Sequence, residues 1–294
     1  MTDDVFAIIG TGKMGTGMGL LLNEAGKKVA AVADLNSACA EKVAQLLGCR
    51  AYKVLSEAAG EANFILITTP DDAIEQACRM IVADHGIRPG SKVVHLSGAG
   101  GLDLLLPAAQ AGAQTACIHP IQSLADAQSV LERIPGSTFG ITTAKENESW
   151  AVRFVEDIGG TPLLVAEQDR PLYHAAACMA SNYLVTLMHL VQTIYMQFGP
   201  DKLQAQKAFW PLVKGTIANM EEKGIAESLT GPIARGDVGT VIKHLETLEA
   251  ALPSDLPVYR VLGNLTADLA YRNGTLKQDQ FIQLKSILKG DCHE

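Results

Sequence analysis

An apolar run, Val5-Phe6-Ala7-Ile8-Ile9, leads without a break into Gly10-Thr11-Gly12-Lys13-Met14-Gly15, and a helical stretch near Met14–Ala25 follows. No other feature constrains the fold as much. A buried strand that turns through a glycine-rich loop into a helix opens a βαβ unit, and such units build parallel sheets with helices on their faces.

The first half of the chain repeats this alternation. Further strands are predicted at Lys28–Ala33, Phe64–Thr68, Lys92–Leu96, Thr115–Ile118, Thr138–Thr142 and Thr161–Val165. Helical segments lie between them near Ser37–Leu47, Asp71–Asp84, Leu102–Ala111 and Glu146–Asp157. The pattern predicts an α/β fold with a doubly wound, mostly parallel Rossmann sheet. After Glu167 the β-rich runs stop and five helices are predicted, at Arg170–Phe198, Lys202–Lys223, Val238–Glu249, Leu256–Asn273 and Lys277–Leu288. A boundary near residue 167 then gives a dinucleotide-binding domain over 1–167 and an all-helical domain over 168–294.

Composition narrows the function classes. With 24 Lys+Arg against 32 Asp+Glu the chain carries a formal charge of -8, which repels a polyphosphate backbone and argues against nucleic acid. Six scattered cysteines show no zinc-like spacing, so no metal is expected and reduced thiols in the cytoplasm are. Asp3 and Asp4 stand where a secretory signal needs Lys or Arg. The most apolar stretch, Ala175–Phe198, is broken by Ser181, Asn182, Thr186, His189, Gln192 and Gln197, so it reads as a long buried helix rather than a membrane span. Residues 291–294 read as a frayed tail.

In the loop, Gly10 permits the tight turn, Gly12 lets backbone approach a pyrophosphate, and Gly15 allows close helix packing. Amides of Thr11, Gly12, Lys13 and Met14 at a helix N-terminus suit an anion, and Lys13 can reach a phosphate. Asp34 ends the second strand, where a carboxylate accepts bonds from the adenosine ribose and repels a 2′-phosphate. Leu35-Asn36-Ser37 supply no cation to offset it, so NAD is favoured over NADP. A sheet that has lost its nucleotide, or a flavin-binding relative, is the alternative.

Ligands of open parallel sheets lie beyond the C-terminal strand ends. Thr69-Pro70 follows one strand, as a ribose neighbour or as an ordinary proline-started helix. Ser97-Gly98 follows the next, preceded by His95, in a small-residue loop suited to a substrate carboxylate. His119 follows the strand after that, as a site residue or a satisfied loop histidine. On the long helix, Ser181 and Asn182 return at helical spacing to the face of His174, giving a polar stripe. Arg235, in Thr230–Asp237, is placed either to hold an anion bidentately or to pair with Asp237.

Together these segments resemble a family that pairs a Rossmann-like domain with a helical domain of unknown function, numbered 2520. The carriers are Ile8–Gly15, His95–Ala99, His119–Ser123, Tyr173–Ala176 with Ser181-Asn182, and Thr230–Asp237. The family is distantly similar to β-hydroxyacid dehydrogenases, ketopantoate reductases, pyrroline-carboxylate reductases and deazaflavin-dependent NADP reductases. The resemblance implies a site between sheet and helices and a homodimer formed through the helical domain. In β-hydroxyacid dehydrogenases a Ser-Gly loop holds the substrate carboxylate, which Ser97-Gly98 matches, and a Lys with an Asn one turn later does acid/base work. The long helix here has no lysine and offers His174 and Asn182 instead. The expectation is an NAD(P)-dependent oxidoreductase moving a hydride to or from a C=O or C=N bond of a small carboxylate. His174 and Asn182 would be catalytic, His119 the alternative proton donor, and Ser97, Gly98, Ser181 and Arg235 would bind substrate. A non-catalytic dinucleotide sensor is the rival.

Overall fold

A computed structural model describes residues 4–289. Asp3, Cys292 and the tail at 291–294 lie outside the described residues. Eight strands form one sheet: β1 Val5–Ile9, β2 Lys28–Ala33, β3 Arg50–Tyr52, β4 Phe64–Ile67, β5 Lys92–His95, β6 Gln114–Pro120, β7 Thr138–Thr143 and β8 Thr161–Leu164. Their order is β3-β2-β1-β4-β5-β6-β7-β8, parallel throughout except for the antiparallel pair β6–β7. The predicted doubly wound, mostly parallel sheet is therefore present.

The helices of this first unit are α1 Lys13–Glu24, α2 Ser37–Leu47, α3 Leu55–Gly60, α4 Ile74–Ala83, α5 Leu106–Gln110, α6 Ala127–Arg133, α7 Glu148–Asp157 and α8 Arg170–Cys178. They cover both faces, which is why the strands are apolar on successive residues rather than on alternate ones. Phe6 and Ile8 of β1 enter one core with Met18, Leu22 and Phe154, while Ala7 and Ile9 enter the other with Ile74 and Ile81. Strand order reverses between β1 and β4, and the glycine loop leaves β1 at that crevice. In open sheets this is where ligands sit.

The short strand β3 is absent from the sequence prediction. Its three residues pair with β2 at the sheet edge and are at most half-buried, so they lack the apolar run that betrays the inner strands.

The compact first unit runs on to Asn182, and a second unit begins at Tyr183. The boundary near 167 thus falls before α8, although Arg170 of that helix is buried in the first unit and bonds its β5 and β7 neighbours. The second unit comprises α9 Leu184–Met196, α10 Lys202–Lys223, α11 Val238–Ala251, α12 Leu256–Arg272 and α13 Gln278–Lys289. Its core gathers Val241, Leu245, Ala267, Leu284 and Leu288. Asp201 and Asp237 cap α10 and α11 by accepting bonds from Gln204 and Thr240 amides.

The predicted helix at 170–198 is corrected in two respects. It is interrupted by a π turn over Met179–Tyr183, so the 3.6-residue spacing that would align Ser181 and Asn182 with His174 is not kept through them. Nor is the apolar stretch 175–198 buried along its length: Val185 is 69% and Phe198 74% exposed. Apolarity alone does not reveal whether a face meets its own chain.

Candidate functional site

The loop after β1 is shaped by contacts that leave no room for side chains at two positions. Gly10 has φ 101°, in the left-handed region, and a Cβ there would stand 2.9 Å from the Thr68 carbonyl carbon. A Cβ on Gly15 would overlap the Gly10 carbonyl oxygen and the Thr68 hydroxyl. Thr68 closes the crevice by donating its hydroxyl to the Gly10 carbonyl at 2.6 Å.

Gly12 is different in kind. It is the N-cap of α1, has nothing within 4 Å of a Cβ position, and offers no side-chain cap to the helix. No acid lies in the first turn. The free amides and the positive end of the helix dipole therefore face open space, as an anionic phosphate requires. By contrast Asn36 caps the next helix, accepting from Ala38 and Cys39.

A cavity of about 250 Å³ adjoins the loop, lined by Gly10, Gly12, Asp34, Leu35, Thr69 and Pro70 together with Ala73, Gln76 and Met80. Asp34 Oδ2 accepts from the Thr11 amide at 2.6 Å and hydroxyl at 2.9 Å, and Oδ1 from the Asn36 amide at 2.9 Å. Partial burial works against ionisation, yet these bonds hold the carboxyl below its ordinary value. Thr69 Oγ1 is a buried hydroxyl without a partner. A larger cavity, about 480 Å³, lies at the opposite strand ends. It is flanked by the mutually paired Lys92–Asp4 and Lys27–Asp157, and ligands of this fold class do not bind there.

Beside the loop, the next two strands bring a second cluster together. His95 is fully buried, its Nδ1 accepts from the Ser97 amide at 3.2 Å, and its Nε2 lies 2.9 Å from the Gly101 carbonyl. Those partners fix the Nε2–H tautomer and shape the 97–101 loop. Ser97 donates its hydroxyl to Asp71 Oδ2 at 2.7 Å and accepts from the Gly100 amide at 2.8 Å. Its one proton is committed to a carboxylate.

Gly98 lies against both remaining histidines. A Cβ there would overlap His174 Nδ1 and stand 2.9 Å from His119 Nε2. The two imidazoles meet edge to face with centroids 5.9 Å apart. His119 Nδ1 lies 2.8 Å from the Tyr173 hydroxyl, which sits over Gly140 of β7. His174 Nε2 contacts the Cys178 thiol at 3.5 Å, while His174 Nδ1 is buried with no partner. An unpartnered buried polar atom costs about 1–3 kcal/mol, which a bound ligand can recover.

Arg170 holds this cluster from behind. It is 1% exposed and donates to the carbonyls of Ser97 at 2.8 Å and Gly98 at 3.0 Å and to the Thr142 hydroxyl at 3.0 Å. Burial, then the neighbouring His174 and the Arg170 cation, push His119 down to about 4, and burial pushes Tyr173 up to about 12. His119 is thus neutral in the folded protein at neutral pH.

That depression has a measurable consequence. An unfolded chain takes up the His119 proton near its ordinary 6.5, whereas the folded chain does so only near 4. Stability is complete above the upper value and falls as pH drops toward the lower one, by on the order of 2–3 kcal/mol. Urea unfolding of His119→Gln should show a shallower acid-side loss than the parent, and an unchanged slope refutes the assignment. Buried His95, pushed the same way, keeps part of the loss in both.

Ser97, Gly98, His119 and His174 are thus brought to one place, and Gly10–Gly15, Asp34, Thr69 and Pro70 to an adjoining one. Ser181 and Asn182 lie in the π turn, with Asn182 exposed. Arg235 belongs to the second unit and is exposed; no ion pair to Asp237 is formed among the described residues, and Asp237 instead caps α11. Sequence reading missed Asp71 and Arg170. Asp71 looks like a helix-start acid, and only the sheet brings it to Ser97. No cluster of metal-ligating side chains occurs among the described residues, and no helix there is long and apolar enough to cross a membrane.

Fold and crevice define a Rossmann-type unit followed by a helical unit. Residues 4–120 match the model of a Rossmann-like domain, and residues 137–266 that of a domain of unknown function, DUF2520. The two matches fall in the order that the sequence resemblance implies, a Rossmann-like domain followed by DUF2520. The second match begins at β7, inside the sheet. No curated protein matches the chain in sequence. Among solved structures, protein TM1727 from Thermotoga maritima is similar at 22% identity and TM-score 0.71, over 91% of this chain and 99% of that one. A candidate NADP oxidoreductase from Bacteroides fragilis is similar at 18% identity and TM-score 0.69, over 92% and 98%. A pyrroline-5-carboxylate reductase from Coxiella burnetii is similar at 14% and 0.60, over 97% and 99%. At these identities the likeness is one of fold.

Proposed function

We propose that this protein is a nicotinamide-dinucleotide-dependent oxidoreductase that moves a hydride to or from a C=O or C=N bond of a small carboxylate-bearing substrate. One observation carries the reading: the uncapped N-terminus of α1 opens onto a cavity that shares its sheet edge with an unsatisfied histidine cluster. The dinucleotide would supply the hydride chemistry. The α1 amides would hold its phosphates, Asp34 the adenosine ribose, and Thr69 and Pro70 the sugar nearer the nicotinamide. His174, its Nδ1 lacking a partner, would exchange a proton with the substrate, with His119 as the alternative, Gly98 leaving space between them, and Ser181 and Asn182 orienting substrate. The names of the Bacteroides and Coxiella structures support a reductase reading.

NAD is favoured over NADP, because the residues lining the cavity beside Asp34 include no Lys or Arg. A thermal-shift titration tests both parts: NADH at ~100 Kd should add about 2.7 kcal/mol of stability, and NADPH less. Asp34→Ser should narrow that gap. Absence of any shift with either nucleotide removes the reading, whereas a larger shift with NADPH reverses only the preference. Nucleotide binding without turnover of any carbonyl or imine favours the sensor. If His174→Gln and His119→Gln both keep full turnover, the proton assignments are wrong.

A homodimer through the helical unit belongs to the same proposal. Val185, Phe198 and Leu212 expose large apolar side chains there, at 69%, 74% and 68%, and a second copy is the occupant that the family resemblance supplies. Sedimentation should give a dimer, and Val185→Glu a monomer. A monomeric parent overturns this part. The five free cysteines among the described residues support a cytoplasmic location.

A further inference from the structure

We propose that the bond reduced at this site is the C=N of a protonated imine, a cation, and that Asp71 is the group that reads its charge. The proposal rests on the oxidoreductase reading and selects between its two bond types. Asp71 follows Thr69-Pro70, which line the nucleotide cavity, and bonds Ser97, which precedes the glycine packed on both histidines. It therefore ties the segment that lines the crevice to the loop packed on the imidazoles. The side chain is exposed and forms no ion pair among the described residues. At His95, Cys117 and His119 the Arg170 cation is felt first and the Asp71 charge after it, with the opposite sign.

This arrangement is ill suited to a substrate anion at Ser97. The serine proton already goes to Asp71, and a second carboxylate there would meet the first. The nearby Arg170 offers such an anion no donor, because it is buried behind the loop with both terminal nitrogens turned to Ser97, Gly98 and Thr142 oxygens. An imine nitrogen beside Asp71 is instead held in its protonated form, which accepts hydride without a proton being delivered at the bond. The balance is one iminium and one reduced nicotinamide in, one amine and one oxidised nicotinamide out; the C=N π pair becomes the nitrogen lone pair. A carbonyl would need a donated proton as well. The unpartnered atoms Thr69 Oγ1 and His174 Nδ1 lie in the segments on either side and mark the same region as built for a ligand. A substrate carboxylate then lies away from Ser97.

Binding and turnover both test this. With NAD+ present at neutral pH, 2-methylpyrrolidine, a cation and product analogue, should raise the melting temperature by a further ~2 °C or more, and cyclopentanecarboxylate should not. Asp71→Asn should abolish that increment and keep the shift caused by NAD+ alone. With NADH, 2-methyl-1-pyrroline should be reduced at least about tenfold more efficiently than cyclopentanone, a preference Asp71→Asn removes. A carboxylate increment without an amine increment, no increment from either, or an unaltered preference in Asp71→Asn overturns the proposal. Failure of the dinucleotide shift itself would instead sink the oxidoreductase reading.

Discussion

Gly12→Ala should leave the free protein almost as stable as the parent and nearly abolish its response to NADH. The position has φ -68°, which alanine adopts freely, and nothing lies within 4 Å of the new methyl. The cost to folding is the poorer helix cap, about 1 kcal/mol or less. The methyl would, however, occupy the space in which a pyrophosphate must touch backbone amides, so affinity should fall by about a hundredfold or more. Gly15→Ala supplies the contrast: its methyl overlaps the Gly10 carbonyl and the Thr68 hydroxyl, so it should cost about 1–3 kcal/mol in the absence of any nucleotide. Melting curves with and without NADH separate the two effects. If Gly12→Ala binds NADH like the parent, the phosphates are not held at this helix end.

The second large effect concerns Gly98→Ala. Its methyl would overlap His174 Nδ1 and crowd His119 Nε2, yet both obstacles are side chains that can rotate away. Stability should therefore change by only about 1–2 kcal/mol, and NADH binding should persist because the nucleotide loop is elsewhere. Turnover should drop by on the order of a hundredfold, since displacing a reacting group by about 1 Å has that effect. Imidazole proton resonances of His119 and His174 should move together in the variant. Unperturbed resonances combined with full turnover would show that these rings do not carry the chemistry.

The contrast between these two glycines shows what was legible beforehand. Gly12 could be placed from the sequence because its neighbours in space are its neighbours in the chain: strand, loop and helix follow one another, and apolar periodicity marks each. Gly98 could be suspected as part of a strand-end loop, but its partners His119 and His174 are distant along the chain. The pairing of β5 with β6 and the return of α8 over β7 bring them there. Asp71 and Arg170 were missed for the same reason. An acid at a helix start and an arginine at the head of a helix look ordinary until the sheet sets one against Ser97 and buries the other behind it.

The sequence by itself determined the doubly wound sheet, the glycine-rich loop that leads from β1 into α1, and the run of helices that follows, since all of these rest on local spacing and on continuous apolar runs. Tertiary structure alone decided the edge strand β3, the π turn at Met179–Tyr183, the extension of the first unit to Asn182 and the commitment of the Ser97 proton to Asp71. Each of those depends on which remote side chain supplies a hydrogen bond or covers an apolar face, and spacing along one chain does not encode that.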